Sequence, residues 1–302
     1  MRGGWTRRHR NRTSLPYAFY NVNHDLRRFL EGAIATEEAV FVDNSKRSGT
    51  QSLGRAMVLL RELAARGQFG WGLGDLAARC GLDKGTAHRL LAHLKRERMV
   101  QQRAGDRRYV AGPMLYELGL ARRDYTAFQQ AARAPLERLV TRLGEVAFLF
   151  LRSGNDFVCA ACAGTLPVKS LSIEVGTRRP LVSSAGGVAI LVAMPTEEAR
   201  TVIAQNLAAM SRFGGLSIAS LERMLRQSQR QDLGVNEQNV MPGWNAYALA
   251  VRDASGAPFA SLMVAAPAHR LSLADHPHLM DVLAAETKVL GSEASRLLPV
   301  GV

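Results

Sequence analysis

The stretch Gly81-Leu82-Asp83-Lys84-Gly85-Thr86-Ala87-His88-Arg89-Leu90-Leu91 decides how the rest of the chain is read. Gly81 is the residue type that tolerates the left-handed position after a helix, and Asp83 is a favoured N-cap, so the stretch predicts a turn between two helices. The second of these runs to about Arg98. At about 100° per residue, Ala87, Leu90, Leu91 and Leu94 fall on one face. Gly85, Arg89, Ala92 and Arg96 fall opposite, with Lys84 and His88 on one flank and Thr86 and His93 on the other. The leucine face explains docking onto a core. The reverse face combines small residues, which permit close approach, with cations that reach phosphates or the O6/N7 edge of guanine. The helix N-terminus adds partial positive charge for a phosphate. A solvated charged face is the plainer reading of one basic helix alone, so the flanking segments matter.

Upstream, Leu53, Met57, Leu60 and Ala64 recur at i, i+4, i+7 and i+11. That spacing predicts a helix capped by Ser52 and stopped by Gly67 and Gly70. A shorter helix, about Leu73–Cys80, leads into Gly81. Downstream, residues 99–103 and 107–110 read as two strands around Ala104-Gly105-Asp106, with Arg103, Arg107 and Arg108 near the tip. Three closely spaced helices followed by an arginine-tipped hairpin form the pattern of a winged helix-turn-helix. The wing arginines are expected at the sugar-phosphate backbone or minor groove, where they supply the salt-dependent part of affinity.

Charge agrees. The 302 residues carry 39 Lys+Arg against 26 Asp+Glu, a net +13, and residues 1–120 hold 21 of the basic groups but only 11 of the acidic ones. A basic N-terminal part on a nearly balanced remainder points to a polyanion, nucleic acid before a membrane. The longest strongly apolar stretches, Val146–Leu151 and Gly187–Met194, fall well short of the roughly 20 residues that span a bilayer. No apolar run follows the basic N-terminus, so no secretory signal is expected, and three cysteines make no paired framework. A reduced, cytoplasmic compartment follows as the expectation. Residues 1–50 read as a basic, flexible extension ending in the turn-rich Asp43–Gly49.

Several of these motifs together resemble a known family. Ser52-Leu53-Gly54-Arg55-Ala56, Asp75-Leu76-Ala77, the Gly81–Leu91 stretch and Arg108-Tyr109-Val110-Ala111-Gly112-Pro113 are similar to the N-terminal domain of IclR-type bacterial transcriptional regulators. Val175–Leu181, Ala250–Asp253 and Pro258–Leu262 resemble segments of that family's effector domain, so the likeness covers about residues 51–297 in order. It implies an α+β chain with a winged helix-turn-helix at 51–113, a linker helix at 114–133 and a GAF-like α/β sensor domain at 134–302. It further implies a homodimer or homotetramer that binds operator DNA and a small-molecule effector, and that represses or activates a metabolic, often catabolic, operon.

Hydrophobic patterning agrees with an α/β second half. Residues 145–151 and 156–162 are short apolar runs joined by Ser153-Gly154-Asn155, a hairpin signal, and Val168–Ile173 is another strand candidate. Ser184 or Ser183 can cap a helix through Ala193, and Thr196-Glu197-Glu198 starts the next. Residues 246–252 and 258–266 flank a second strand turn, and a helix from about Leu273 to Leu297 closes the chain.

The effector lining is carried over from the resembled family by position: Val168, Leu171, Arg179, Ala185, Gly186, Ala250, Met263 and Ala265. Gly187-Val188-Ala189 lacks the lysine of many relatives, Met263 and Ala265 stand where some have serines, and Gln238, Asn239 and Trp244 also depart from the pattern. Fewer hydroxyl and charged groups leave an apolar cavity, which favours a hydrophobic or aromatic effector over a tiny polar acid. Arg179 is the candidate for a ligand carboxylate, through paired hydrogen bonds; the competing reading turns Arg179 to solvent and leaves the pocket small.

Other chemistry finds little support. Cys159-Ala160-Ala161-Cys162 sits in an apolar strand, where alternation places its two ends on opposite faces, so both read as buried core cysteines. His269, His276 and His278 lack metal-ligand spacing. Ser183-Ser184-Ala185-Gly186-Gly187 is not a nucleophile elbow, and Gly70–Gly74 lacks the phosphate-loop lysine. No cofactor, metal or catalytic residue is expected. The alternative from another class is an α/β enzyme or metabolite-binding protein whose N-terminal helices serve assembly, and Arg89 with Lys84 and the wing arginines discriminates the two.

Overall fold

The computed structural model describes residues 30, 50–144, 146–165, 173–210 and 216–298. Helix α1 (Gln51–Arg66) starts one residue before Ser52, with Thr50 as N-cap and no side-chain cap bond. Its buried face is Ala56, Leu59, Leu60 and Leu63, so only Leu60 of the predicted stripe is buried, while Leu53 and Met57 are 59% and 37% exposed. The helix is apolar on two faces, and periodicity alone does not say which one packs. Leu59 and Leu63 win by meeting Leu76, Leu91, Leu94, Val100 and Tyr109 in one small core.

Helices α2 (Leu73–Arg79) and α3 (Lys84–Arg96) are joined through Gly81, whose φ of 64° is the left-handed value the turn needs. The wing follows as antiparallel strands β1 (Val100–Gln102) and β2 (Tyr109–Ala111), shorter than predicted, and Trp71 bridges Tyr109 on the other side. Cβ-free Gly70 permits this: a side chain there would stand 2.7 Å from Val110 Cγ1.

The linker predicted as one helix is two, α4 (Pro113–Leu120) and α5 (Arg123–Ala131), running on into α6 (Arg133–Leu143). Arg122 leaves helical geometry at φ −96° and ψ 67°, and its guanidinium folds onto Asp124, 2.8 Å from Oδ2, so the break is held by a local ion pair. α4 buries none of its residues.

Among the described residues the second half forms a six-stranded antiparallel sheet in the order β5-β4-β3-β8-β7-β6, and most of the predicted strand Val168–Ile173 lies outside those residues. Its strands are β3 (Val146–Ser153), β4 (Asp156–Gly164), β5 (Arg178–Pro180), β6 (Gly234–Glu237), β7 (Trp244–Arg252) and β8 (Pro258–Pro267). Helices α7 (Ala185–Ala193), α8 (Thr196–Met210) and α9 (Ile218–Gln231) cover one face. α5, α6 and α10 (Leu279–Leu297) cover the other. The last helix begins six residues later than predicted, because Ser272 Oγ accepts from the Asp275 amide at 3.1 Å in a turn that leads to Pro277. Strand alternation divides the core: Phe148 and Phe150 pack under α7, Ala147 and Leu149 against α6 and α10. Each fully buried leucine or phenylalanine contributes about 1.5–3 kcal/mol, so two full layers hold the domain. Among the described residues no helix is long and apolar enough to cross a membrane.

Candidate nucleic-acid interface and effector site

On α3 the predicted apolar face packs inward: Ala87, Leu91 and Leu94 are buried, and Leu90 is half-buried against the same core. Asp83 accepts from the Thr86 amide at 2.8 Å, and the hydrogen bonds from Thr86, side chain then backbone, hold its carboxyl below the usual range. Lys84, Gly85, His88, Arg89, Ala92 and Arg96 are all exposed, with Thr86 half-buried. Among the described residues, none of the second half covers this surface. Arg89 Nη2 lies 3.3 Å from Thr86 Oγ1, a weak contact that leaves the guanidinium at the rim of the helix. Arg96 is more engaged, donating to His93 Nδ1 at 2.6 Å and lying 3.8 Å from Glu97.

The three wing arginines differ from one another. Arg103 pairs with Asp106 at 2.6 Å and donates to the Phe69 carbonyl, and Arg108 reaches Asp106 and the carbonyls of Phe69 and Gly70. Arg103 first, then the Arg108 amide, holds the Asp106 carboxyl below its ordinary value. Both arginines thereby brace the wing against the turn after α1. Arg107 is the exposed one, at the tip, with a left-handed φ of 56°.

The effector candidates fall on the α7-side face of the sheet. Ala250 pairs with Ser261, and Ser261 with Phe150; on the next rung Ala248, Met263 and Phe148 align, and Ala246, Ala265 and Val146 follow. Ala250, Met263 and Ala265 thus share one face on successive rungs. Ala185 and Gly186 open α7 above them, where Ser184 caps the helix by accepting from the Gly187 amide at 3.0 Å. Gly186 has no room for a side chain, since a Cβ would run into the Phe150 ring and lie 3.1 Å from Ser261 Oγ. Arg179 pairs with Phe157, which packs in the core on this same face, and it is half-buried. Burial pulls its guanidinium below the usual value. Neighbouring Arg178 is structural, locked onto Asp156 at 2.8 Å and onto Ser153. Val168 and Leu171 lie outside the described residues.

Two features were missed in the sequence. Ser261 is fully buried, and its Oγ has no hydrogen-bond partner among the described residues. Its place between Ala260 and Leu262 gave no signal beyond strand alternation. The second is at the cysteines. A bulge between Leu149 and Phe150 shifts the β3–β4 register, so Cys159 and Cys162 face the same side, opposite Phe150 and Phe148. Cys159 is buried, its thiol pushed up to about 12 by desolvation, but Cys162 is exposed rather than a core residue. A cavity of about 110 Å³ lies beside this face, lined in part by Ala189, Val192, Ala248, Ala250 and Arg252.

A winged helix-turn-helix with an uncovered basic third helix, joined to a sheet domain covered by helices on both faces, is the architecture of a DNA-binding regulator with an effector domain. The chain belongs to the IclR family of bacterial transcriptional regulators: residues 52–104 match the IclR helix-turn-helix domain, and residues 124–289 match the bacterial transcriptional regulator IclR C-terminal domain. It is 28% identical over 221 residues to the glycerol operon regulatory protein of Streptomyces griseus, covering 73% of this chain and 86% of that one. In fold it resembles an IclR regulator from Silicibacter sp. TM1040, with a TM-score of 0.66 and 21% identity over 81% of this chain and 96% of the other. It also resembles an IclR homologue from Microbacterium hydrocarbonoxydans complexed with 4-hydroxybenzoate, with a TM-score of 0.59 and 19% identity over 82% and 99% of the two chains.

Proposed function

We propose that this regulator reads operator DNA through α3, with Lys84, Gly85, Thr86, His88 and Arg89 at the groove and Arg107 on the backbone. Arg96, Arg103 and Arg108 take part more weakly, because each already has an intramolecular partner. The uncovered Arg89 carries this reading. A gel shift with the promoter DNA beside its own gene tests it: Arg89→Ala is expected to lose about 1–3 kcal/mol, roughly 5- to 150-fold in affinity. Unchanged binding would demote Arg89 to a structural role.

The working division is a basic extension at 1–50, the winged unit at 51–113, a linker at 114–133 and the effector domain at 134–302, acting in the cytoplasm on a metabolic operon without catalysis. The effector is apolar or aromatic, since Ala185, Gly186, Ala250, Met263 and Ala265 offer it no charge, and a carboxylate on it would meet Arg179. The 4-hydroxybenzoate held by the Microbacterium homologue is a ligand of that chemistry. Calorimetry with aromatic acids checks this class, and binding restricted to small aliphatic hydroxy- or keto-acids would overturn it. The assembly is a homo-oligomer, because Leu53, Met57 and Val58 on α1 and Tyr116, Leu118 and Leu120 on α4 expose large apolar side chains that a second copy would cover.

A further inference from the structure

Where β6 meets β7, on the α10 side of the sheet, a group of oxygen-bearing side chains interrupts an otherwise apolar core. Glu237 and Asn245 stand opposite each other in the β6–β7 ladder, so their side chains rise next to one another on one face. Tyr247, two residues along that face, packs in the α10-side core and donates its hydroxyl to Glu237 Oε1 at 2.8 Å. Gln227 of α9 donates Nε2 to Glu237 Oε2 at 3.1 Å. Asn245 Nδ2 donates to the Leu271 carbonyl at 2.8 Å and ties the segment after β8 to the sheet. These donations fix which way each amide is turned, because a carboxylate or a carbonyl accepts only from the nitrogen. What is left over is all acceptor. Asn245, only 6% exposed, buries its Oδ1, and Gln227 buries its Oε1, and neither oxygen has a hydrogen-bond partner among the described residues. Glu237 adds a negative charge met by two neutral donors. The α9 arginines on either side of Gln227 in sequence bond elsewhere, Arg223 to Asn239 and Ser220, and Arg226 to Glu222.

We propose that Glu237, Asn245 and Gln227 form a binding site for a monovalent metal cation, sodium or potassium, held by the Glu237 carboxylate and the two amide oxygens. Buried acceptors without a donor are costly, and a cation satisfies several of them at once. The donor set selects the class of ion. All three ligands are hard oxygens, with no imidazole or thiolate among them, which disfavours zinc and other transition metals. One formal charge beside two neutral amides matches an ion of single charge, whereas calcium sites gather more ligands and usually more carboxylates. The local field has the right sign: the Tyr247 hydroxyl is held above its usual range by burial first, then by its bond to Glu237 and that group's charge. The ion joins α9, β6 and β7 at the open edge of the sheet. Because the same Asn245 amide carries the Leu271 carbonyl, the ion also steadies the segment that leads into α10. Asn245 and Tyr247 face away from the α7 side, so the site stands independently of the effector reading.

The test follows thermal melting of the full chain in sodium, potassium and choline chloride at matched ionic strength, which holds screening constant. At about ten times its dissociation constant, the bound ion is expected to raise the wild-type melting temperature by about 3–6 °C over choline, on a saturating curve. Gln227→Met keeps the length of the side chain and removes its oxygen, and Glu237→Gln removes the charge. Both are expected to melt cooperatively and to lose most of that increment. Equal melting of the wild type in all three salts overturns the proposal. So does an increment that both variants retain in full, which would put the ion elsewhere. If Glu237→Gln fails to melt cooperatively in choline, Gln227→Met, altered at a half-buried side chain, decides alone. Stabilisation by calcium chloride without any by sodium or potassium also overturns it, because the site would then belong to a divalent ion.

Discussion

Cys159 and Cys162 show how one backbone irregularity changes the chemistry of side chains three residues apart. Strict alternation puts them on opposite faces, and the bulge at Leu149/Phe150 returns them to one. Their environments still differ, since Cys159 is buried and Cys162 is exposed. A thiol with its pKa raised to about 12 is protonated at every pH below that, so Cys159 presents almost no thiolate near neutrality. In the folded protein at pH 8, Cys162 is expected to react with a disulfide reagent well before Cys159, with mass spectrometry reporting the order. Simultaneous modification would mean that the strand opens. The same scale shows what could be read in advance. Ala87, Leu91 and Leu94 were legible because a helix face is set by spacing alone. Arg179 was not, because its direction depends on β5 pairing with β4, and no local pattern in three residues reveals that partner.

Helix caps are the most portable signals at the scale of elements. Asp83 and Ser184 both cap the helices predicted for them. Ser184→Ala is expected to lower stability by about 1 kcal/mol, read by denaturant melting, because the Gly187 amide loses its buried acceptor. If α7 also frays there, aromatic-acid binding falls with it. Where predicted elements failed, a side chain had a competing local partner. Arg122 on Asp124 split the linker, Ser272 with Asp275 delayed α10, and Asp106 gathered Arg103 and Arg108 into the turn and shortened the wing. Periodicity does not register such pairs. Four described elements went unpredicted, α6, β5, β6 and α9: β5 and β6 are too short to stand out, whereas α9 had a usable signal in Ser217 as N-cap before Leu221, Met224 and Leu225.

At the scale of the whole molecule, the exposed apolar residues form a pattern rather than a scatter. α1 has a second apolar face that its own domain leaves open, and α4 buries nothing. Leu120→Glu is expected to shift the protein toward monomer in light scattering. It should weaken operator binding more than a single lost contact would, since two half-sites are no longer engaged together. A full-mass oligomer after that change would place the interface elsewhere.

The alternation of side chains through the sheet carries a consequence for descent. Along β3, β7 and β8, every second position faces α7, the side proposed to take the effector, and the positions between them hold α6 and α10. Drift in what the receptor tastes can therefore proceed on one parity of residues while the other parity, and with it the mechanical output, stays untouched. A lineage built this way can acquire new signals without relearning how to deliver them.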